Sequence, residues 1–272
     1  MHDGNQFLLS VARIESTFED GLNEPRLGSA SGFFVLGKNR HAYLVTNKHN
    51  VDPRLKLRSA NHRLTRLAVE VRLFEAGIAQ AKTAVVELPL DERRLVHHAT
   101  SDVSVYDTND VPLPAGFAIA VWAQQDTLAD GAMHSHLQAM DLVSFIGFPG
   151  GTGAPWLDEM WRTPIARLAS IASVPAVPFS HKSIGTSDVT LVNGLSFQGS
   201  SGSMVVSHPR DQSVVGRNAV STKIVGIMSG GWRERDLEVA NSNAAFGPHS
   251  GVSYYTRSTA ILEVLHQAMS LR

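Results

Sequence analysis

The chain has 272 residues, 43% of them hydrophobic and 18% charged, with a formal net charge of -1 and no cysteine. A chain of this length buries roughly 75% of its unfolded surface, enough for one large all-β domain or two small ones. The near-neutral balance argues against a nucleic-acid partner, and the lack of cysteine excludes a disulfide framework, a cysteine nucleophile and thiolate metal sites.

The stretch Met1-His2-Asp3-Gly4-Asn5-Gln6 lacks the basic region and apolar run of a secretion signal, and no window approaches the ~18 apolar residues of a membrane span. A soluble cytoplasmic protein is expected. Loose alternation over 7–17 reads as a first strand, and 21–28 as a loop. Gly32-Phe33-Phe34-Val35-Leu36 is an apolar strand that turns at Gly37-Lys38-Asn39 and pairs back with 41–46. Asp52-Pro53 ends that segment. Residues 54–66 are basic without a period and read as a solvated loop. Short strands follow at 67–73, 84–88 and 103–106. A connection then runs to about His136, with a short helix at 122–128.

A second series opens with Leu142-Val143-Ser144-Phe145-Ile146-Gly147 and continues at 162–174, 188–191, 204–207, 223–228 and 251–255. Ser258 is placed as the N-cap of a last helix, in which Ile261, Leu262, Val264, Leu265 and Met269 repeat with helical period. Many short strands in two sets favour closed or sandwiched antiparallel sheets over a βαβ arrangement. The expected division is 1–115, a connection over 116–136, a second half over 137–256, and a helix over 257–272.

Gln198-Gly199-Ser200-Ser201-Gly202-Ser203 carries the chemistry. A serine between glycines on a tight loop can project its Oγ, and the neighbouring N–H groups stay unshielded, as an acyl-transfer nucleophile and its oxyanion hole require. Read alone, such a loop is more often a surface turn. A base would complete it, and of twelve histidines His49 stands out, because it follows the apolar strand Tyr43-Leu44-Val45-Thr46 where that strand gives way to a turn. Asp102, at the entrance of Val103-Ser104-Val105, is the acid that would orient it; alone it reads as a strand-end Asx turn.

Taken in order, Gly28-Ser29-Ala30-Ser31-Gly32-Phe33-Phe34-Val35, Leu44-Val45-Thr46-Asn47-Lys48-His49, Ser101-Asp102-Val103-Ser104-Val105 and Gly199-Ser200-Ser201-Gly202-Ser203 resemble the signatures of the trypsin/chymotrypsin-like serine peptidases. Those signatures are a Gly-rich strand, a T-A-A-H segment, a D-[IL]-A-[LV] segment and a G-[DN]-S-G-G loop. Phe145-Ile146-Gly147-Phe148-Pro149-Gly150, Val225-Gly226-Ile227-Met228-Ser229-Gly230-Gly231 and Gly251-Val252-Ser253-Tyr254-Tyr255 extend the resemblance over about 7–270.

The resemblance implies two packed six-stranded antiparallel β-barrels with a C-terminal α-helix and a cleft between the barrels. It implies His49 as base then acid, Asp102 as its orienter and Ser201 as nucleophile, with the N–H groups of Gly199 and Ser201 as the oxyanion hole. Leu195 falls at the base of the specificity pocket. Ser229 and Gly231 would offer backbone groups to substrate, and Gly251 would keep the pocket open. An uncharged, small-to-medium apolar P1 residue is the expectation, subject to a charge from loop 233–250.

The chain departs from the pattern at Ser200, where secreted members carry the Asp that pairs with a freed N-terminus. Activation by N-terminal trimming is therefore not expected. Ser203 replaces a Gly, and Asn47-Lys48 replace small residues. Neither cofactor nor metal is expected: His97-His98 and His134/His136 lack an HExxH frame, and Gly147–Gly153 lacks the Lys-Ser/Thr of a phosphate loop. Trp156, Met160 and Trp161 read as core or cleft packing. The partners expected are a protein or peptide substrate and a regulatory protein. Two further readings stay open: a catalytically silent peptide-binding module, and a peptidase latent until a partner orders the loop.

Overall fold

The computed structural model describes residues 6–22, 24–57, 60–75, 77–121, 123–151, 158–181, 185–210, 220–233 and 249–271. The first half contains α1 (Gln6–Leu9), β1 (Val11–Glu19), β2 (Arg26–Leu36), β3 (Ala42–Thr46), α2 (Pro53–Lys56), β4 (Arg63–Glu75), β5 (Ile78–Glu87), β6 (Leu95–His97) and β7 (Ser104–Asp107). Two short strands, β8 (Phe117–Ala118) and β9 (Ala123–Gln124), follow in the connection. The second half contains α3 (Gly131–His136), β10 (Leu142–Gly147), β11 (Ile165–Ile171), β12 (Phe179–His181), β13 (Gly185–Ser187), β14 (Val189–Asn193), β15 (Met204–Ser207), β16 (Ile224–Arg233), β17 (His249–Arg257) and α4 (Ser258–Ser270).

The second half is a closed barrel in the order β10-β11-β14-β17-β16-β15, its six strands as expected. The first half is a nine-stranded sheet along β5-β4-β1-β2-β3-β7-β6, with β8 on β4 and β9 on β2. Its end strands β5 and β6 follow one another in the chain. Where the ladder stops, Leu88 N–H still donates to Leu67 O and Asp107 N–H to Arg94 O, and Tyr106 Oη donates to Pro89 O at 2.8 Å. Pro89 has no N–H to give a ladder, and the strand pairing stops there. The first half is thus a nine-stranded sheet where a six-stranded barrel was expected.

Alternation along β2, β3 and β7 feeds two cores at once. Phe34, Leu44 and Tyr106 pack on one face of the first sheet with Ile14, Leu67 and Val69. Phe33, Val35, Tyr43, Val45 and Val105 lie on the other face, against Ile146, Met204 and Ile227 of the second half. With both faces covered, these strands read as continuous apolar runs. A third cluster, including Val143, Phe145, Val192, Val205 and Tyr255, fills the second barrel.

Helix α4 joins the shared core through Ala260, Ile261, Val264, Leu265 and Ala268. Burial of Ile261, Val264 and Leu265 alone contributes on the order of 5 kcal/mol. Its N-cap is Arg257 and not Ser258. Ser258 Oγ instead donates to Ala129 O at 2.6 Å and contacts His134 Nε2 at 2.9 Å.

Other expectations change. The apolar Phe7-Leu8-Leu9 belongs to α1, which precedes β1. The basic stretch 54–66 supplies most of α2 and the start of β4, a long strand on which Arg63 is exposed and the half-buried Arg66 pairs with Glu15 and Glu87. The helix expected at 122–128 is β9 followed by a single 3-10 turn, Gln125–Thr127. Met160 and Trp161 are surface residues, Trp161 being 45% exposed, so they are not core. Trp156 and residues 234–248 lie outside the described residues. Among the described residues, no helix is long and apolar enough to cross a membrane.

Candidate active site

Strand β3 ends at Thr46, and a 3-10 turn over Lys48–Asn50 carries His49 off the sheet edge. Asp102 lies in the turn between β6 and β7, whose shape is set by His98: its Nδ1 accepts from the N–H groups of Thr100 and Ser101 at 3.2 and 2.8 Å, and its Nε2 meets Glu263 of α4 at 2.9 Å. The carboxylate grips the histidine twice. Asp102 Oδ2 lies 2.7 Å from His49 Nδ1, and Oδ1 accepts the backbone N–H of His49 at 2.9 Å. A carboxylate accepts, so Nδ1 carries the proton and Nε2 keeps its lone pair.

Asn47 ties this pair to the other barrel. Its Nδ2 donates to Asp102 O at 2.8 Å and to Ser229 Oγ at 3.0 Å, and Ser229 Oγ in turn meets Thr256 Oγ1 at 2.7 Å.

The serine loop is pinned at nearly every carbonyl. Gly150 N–H donates to Gln198 O at 2.7 Å, Ser31 Oγ to Gly199 O at 2.8 Å, Ser203 N–H to Ser200 O at 3.0 Å, and Ser31 N–H to Ser201 O at 2.8 Å. A planar trans peptide points its N–H opposite its carbonyl. Held carbonyls at 198 and 200 therefore aim the N–H groups of Gly199 and Ser201 away from the loop's supports. Neither N–H finds an acceptor among the described residues. Gly199 has φ +87°, and a Cβ there would lie 2.4 Å from Phe148 O. Gly202 has φ +89°, and a Cβ there would lie 1.7 Å from Ser31 O and 3.0 Å from Thr46 Oγ1. Only glycine fits either position.

Gly202 thus sits against Thr46, three residues before His49 in the chain. No hydrogen bond joins Ser201 Oγ to His49 Nε2 among the described residues. Such bonds often tighten only when substrate arrives.

The expected pocket residues group around Gly194. Gly194 N–H donates to Gly251 O at 2.8 Å, and Ser253 Oγ donates to Gly194 O at 2.7 Å. Leu195 follows it, 50% exposed. Gly251 has φ +84° and open space where a Cβ would stand. Gly231 pairs with Ser253, and Ser229 sits at a bulge in the β16–β17 register. Beyond Met228, β16 has no strand partner other than β17 among the described residues. Tyr254 covers Gly230, where a Cβ would meet its Oη at 2.7 Å. Burial, then the charge of Asp102, pushes the Tyr254 phenol above its ordinary range.

Sequence reasoning missed Ser31, Asn47, Gly150, Tyr254 and Arg167. Ser31 and Gly150 stand inside stretches read only for their glycines. Two of the other histidines have other uses: His97 Nδ1 meets Ser104 Oγ at 2.7 Å, and His134 is buried against Ser258. Ser203 Oγ occupies the space beside Gly147, where a Cβ would lie 1.9 Å from it.

No family model matches the sequence, and no curated protein does. Solved structures do. The crystal structure of Rv3671c from M. tuberculosis H37Rv, a serine-to-alanine mutant in its inactive form, aligns at a TM-score of 0.50 and 15% identity, covering 97% of this chain and 89% of that one. A second structure, the Rv3671c protease in an inactive form, aligns at 0.48 and 16%, covering 96% and 90%. The first likeness shows the fold: this chain has a chymotrypsin-like fold.

Proposed function

We propose that the chain is a serine endopeptidase that cleaves protein or peptide substrates through an acyl-enzyme. The observation that carries this reading is the pair of hydrogen bonds that His49 donates to Asp102, together with a loop whose Gly199 and Ser201 N–H groups find no acceptor among the described residues. In the proposed cycle His49 Nε2 takes the proton of Ser201 Oγ as that oxygen attacks the scissile carbonyl. The two N–H groups receive the developing oxyanion. His49 then protonates the leaving amine, and water repeats the sequence to release the acyl group.

The edge of β16 at Ser229 and Gly231 supports binding of an extended peptide as an added strand. Open space at Gly251 and the half-exposed Leu195 support an uncharged, small-to-medium apolar P1. Ser200 in place of a carboxylate supports activity without N-terminal trimming. The second reading, a silent peptide-binding module on the same fold, has one observation in its favour: the missing Ser201–His49 hydrogen bond.

A fluorophosphonate probe separates them. Labelling is expected in the wild type and lost in Ser201→Ala and His49→Ala. Folded wild-type protein that stays unlabelled, with peptides still bound, would establish the binding module.

A further inference from the structure

Beneath the serine loop lies a cation that the catalytic cycle does not use. Arg167 stands on β11 opposite Phe145 of β10, and its guanidinium lies 4.4 Å from the Phe145 ring centroid and 5.7 Å from that of Phe197. Its Nη2 donates to Ser200 Oγ at 2.8 Å and its Nη1 to Leu195 O at 3.1 Å. Ser200 is 1% exposed. It also closes the loop on itself: Phe197 N–H donates to Ser200 Oγ at 3.0 Å, and Ser200 N–H donates to Phe197 O at 2.9 Å.

Arg167 therefore touches both ends of the segment that leads from the pocket to the nucleophile. Its fork reaches two acceptors at fixed separation, and its guanidinium lies over the Phe145 ring and within 5.7 Å of the Phe197 centroid, so its own position is defined. Burial pulls its pKa down to about 10, which still leaves it charged at neutral pH. No carboxylate meets it in the bonds described; the acceptors are a hydroxyl and a carbonyl of the loop itself. Desolvating that charge is unfavourable unless the loop keeps both acceptors in place.

We propose that Arg167 is a positioning residue for the serine loop, holding residues 195–200 from below so that the Gly199 and Ser201 N–H groups stay aimed at substrate. The charge comes from the barrel wall and the acceptor from the loop. The loop is thereby ordered by the fold itself, and needs neither a freed N-terminus nor a partner. The catalytic half of this inference rests on the peptidase reading; the structural half does not.

The test uses the full chain with Arg167→Gln, Arg167→Lys and Ser200→Ala. Hydrogen exchange by mass spectrometry on peptides covering 195–203 reads the loop directly. Exchange is expected to speed up about 10- to 100-fold there in Arg167→Gln, the range for a lost charge-assisted hydrogen bond, and to stay unchanged in β4 and β7. Fluorophosphonate labelling should fall by a similar factor with little change in peptide KM, Arg167→Lys being intermediate.

Ser200→Ala removes the acceptor with almost no change in volume, so it tests the same link even if Arg167→Gln fails to fold. Combined with Arg167→Gln, it should add little further loss. Loop exchange unchanged in both single variants would overturn the proposal. So would additive losses in the double variant. If the wild type does not label at all, the peptidase reading falls, and the exchange result alone decides the role of Arg167.

Discussion

Gly202→Ala is the sharpest perturbation of this site. A Cβ at 202 would stand 1.7 Å from Ser31 O, whereas carbon–oxygen contacts settle at about 3.3 Å. The loop must therefore retreat from β2 by about 1.6 Å, carrying Ser201 with it. Left-handed backbone at an alanine costs roughly 1–2 kcal/mol, and loss of the Ser31 N–H to Ser201 O bond about 1 kcal/mol more. A total of about 2–3 kcal/mol lowers Tm by about 8 °C in a chain of this size. Because 1 Å of misplacement costs about 100-fold in rate, probe labelling should fall at least that far.

Gly251→Ala is the matched control for stability. Its φ is +84°, close to the +89° of Gly202, but nothing lies within 4 Å of its Cβ. It should cost only the backbone strain, about 4 °C. Differential scanning calorimetry and labelling kinetics read both. If the two variants melt together and Gly202→Ala labels within threefold of wild type, the contact between loop and β2 does not set the site.

Asp102→Asn should leave the fold intact and lower labelling by roughly 10⁴-fold, the magnitude known for the Ser-His-Asp triad itself, since the amide cannot hold His49 in the same tautomer. His134 is buried, and burial followed by the Arg257 charge lowers its pKa to about 4. The unfolded chain binds that proton more readily, so stability is full above pH 6.5 and falls as pH drops toward 4. The loss reaches about 3 kcal/mol. Urea midpoints should show this loss in the wild type and much less of it in His134→Gln. Glu70 grips Arg162 across the barrels at 2.6 Å. Burial raises its pKa, but the Arg162 and Thr83 hydrogen bonds outweigh that and hold it below the ordinary value. Its stabilisation is present above pH 4.5 and lost as pH falls through the depressed value. Glu70→Gln should cost about 1–2 kcal/mol at pH 7, discounted for the part-exposed guanidinium, and flatten the acid limb of the midpoint curve.

What could be read from residues was whatever announces itself locally. Glycines at 199 and 202, a histidine at a strand end and an acid before a strand each carry a short-range signal. Part of β1 showed in loose alternation and the second half of β2 as an apolar run. Residues that brace the site from afar were hidden. Ser31 meets Gly199 across 168 positions, and nothing about a serine in a Gly-rich strand foretells it. Arg167 sits on a strand where alternation alone cannot say whether a cation faces water or a loop. Strand β6, with three residues, is too short for any period to show. Arg63 and Arg66 looked like loop because their charges masked the strand beneath.

Ser31 has one more consequence. It belongs to β2, yet its hydroxyl serves Gly199 and Phe148 of the other half. Neither half owns a finished centre. On the peptidase reading, a chain cut within the connection would yield two fragments, each holding residues the other lacks, and probe labelling of the mixture would count fragment encounters.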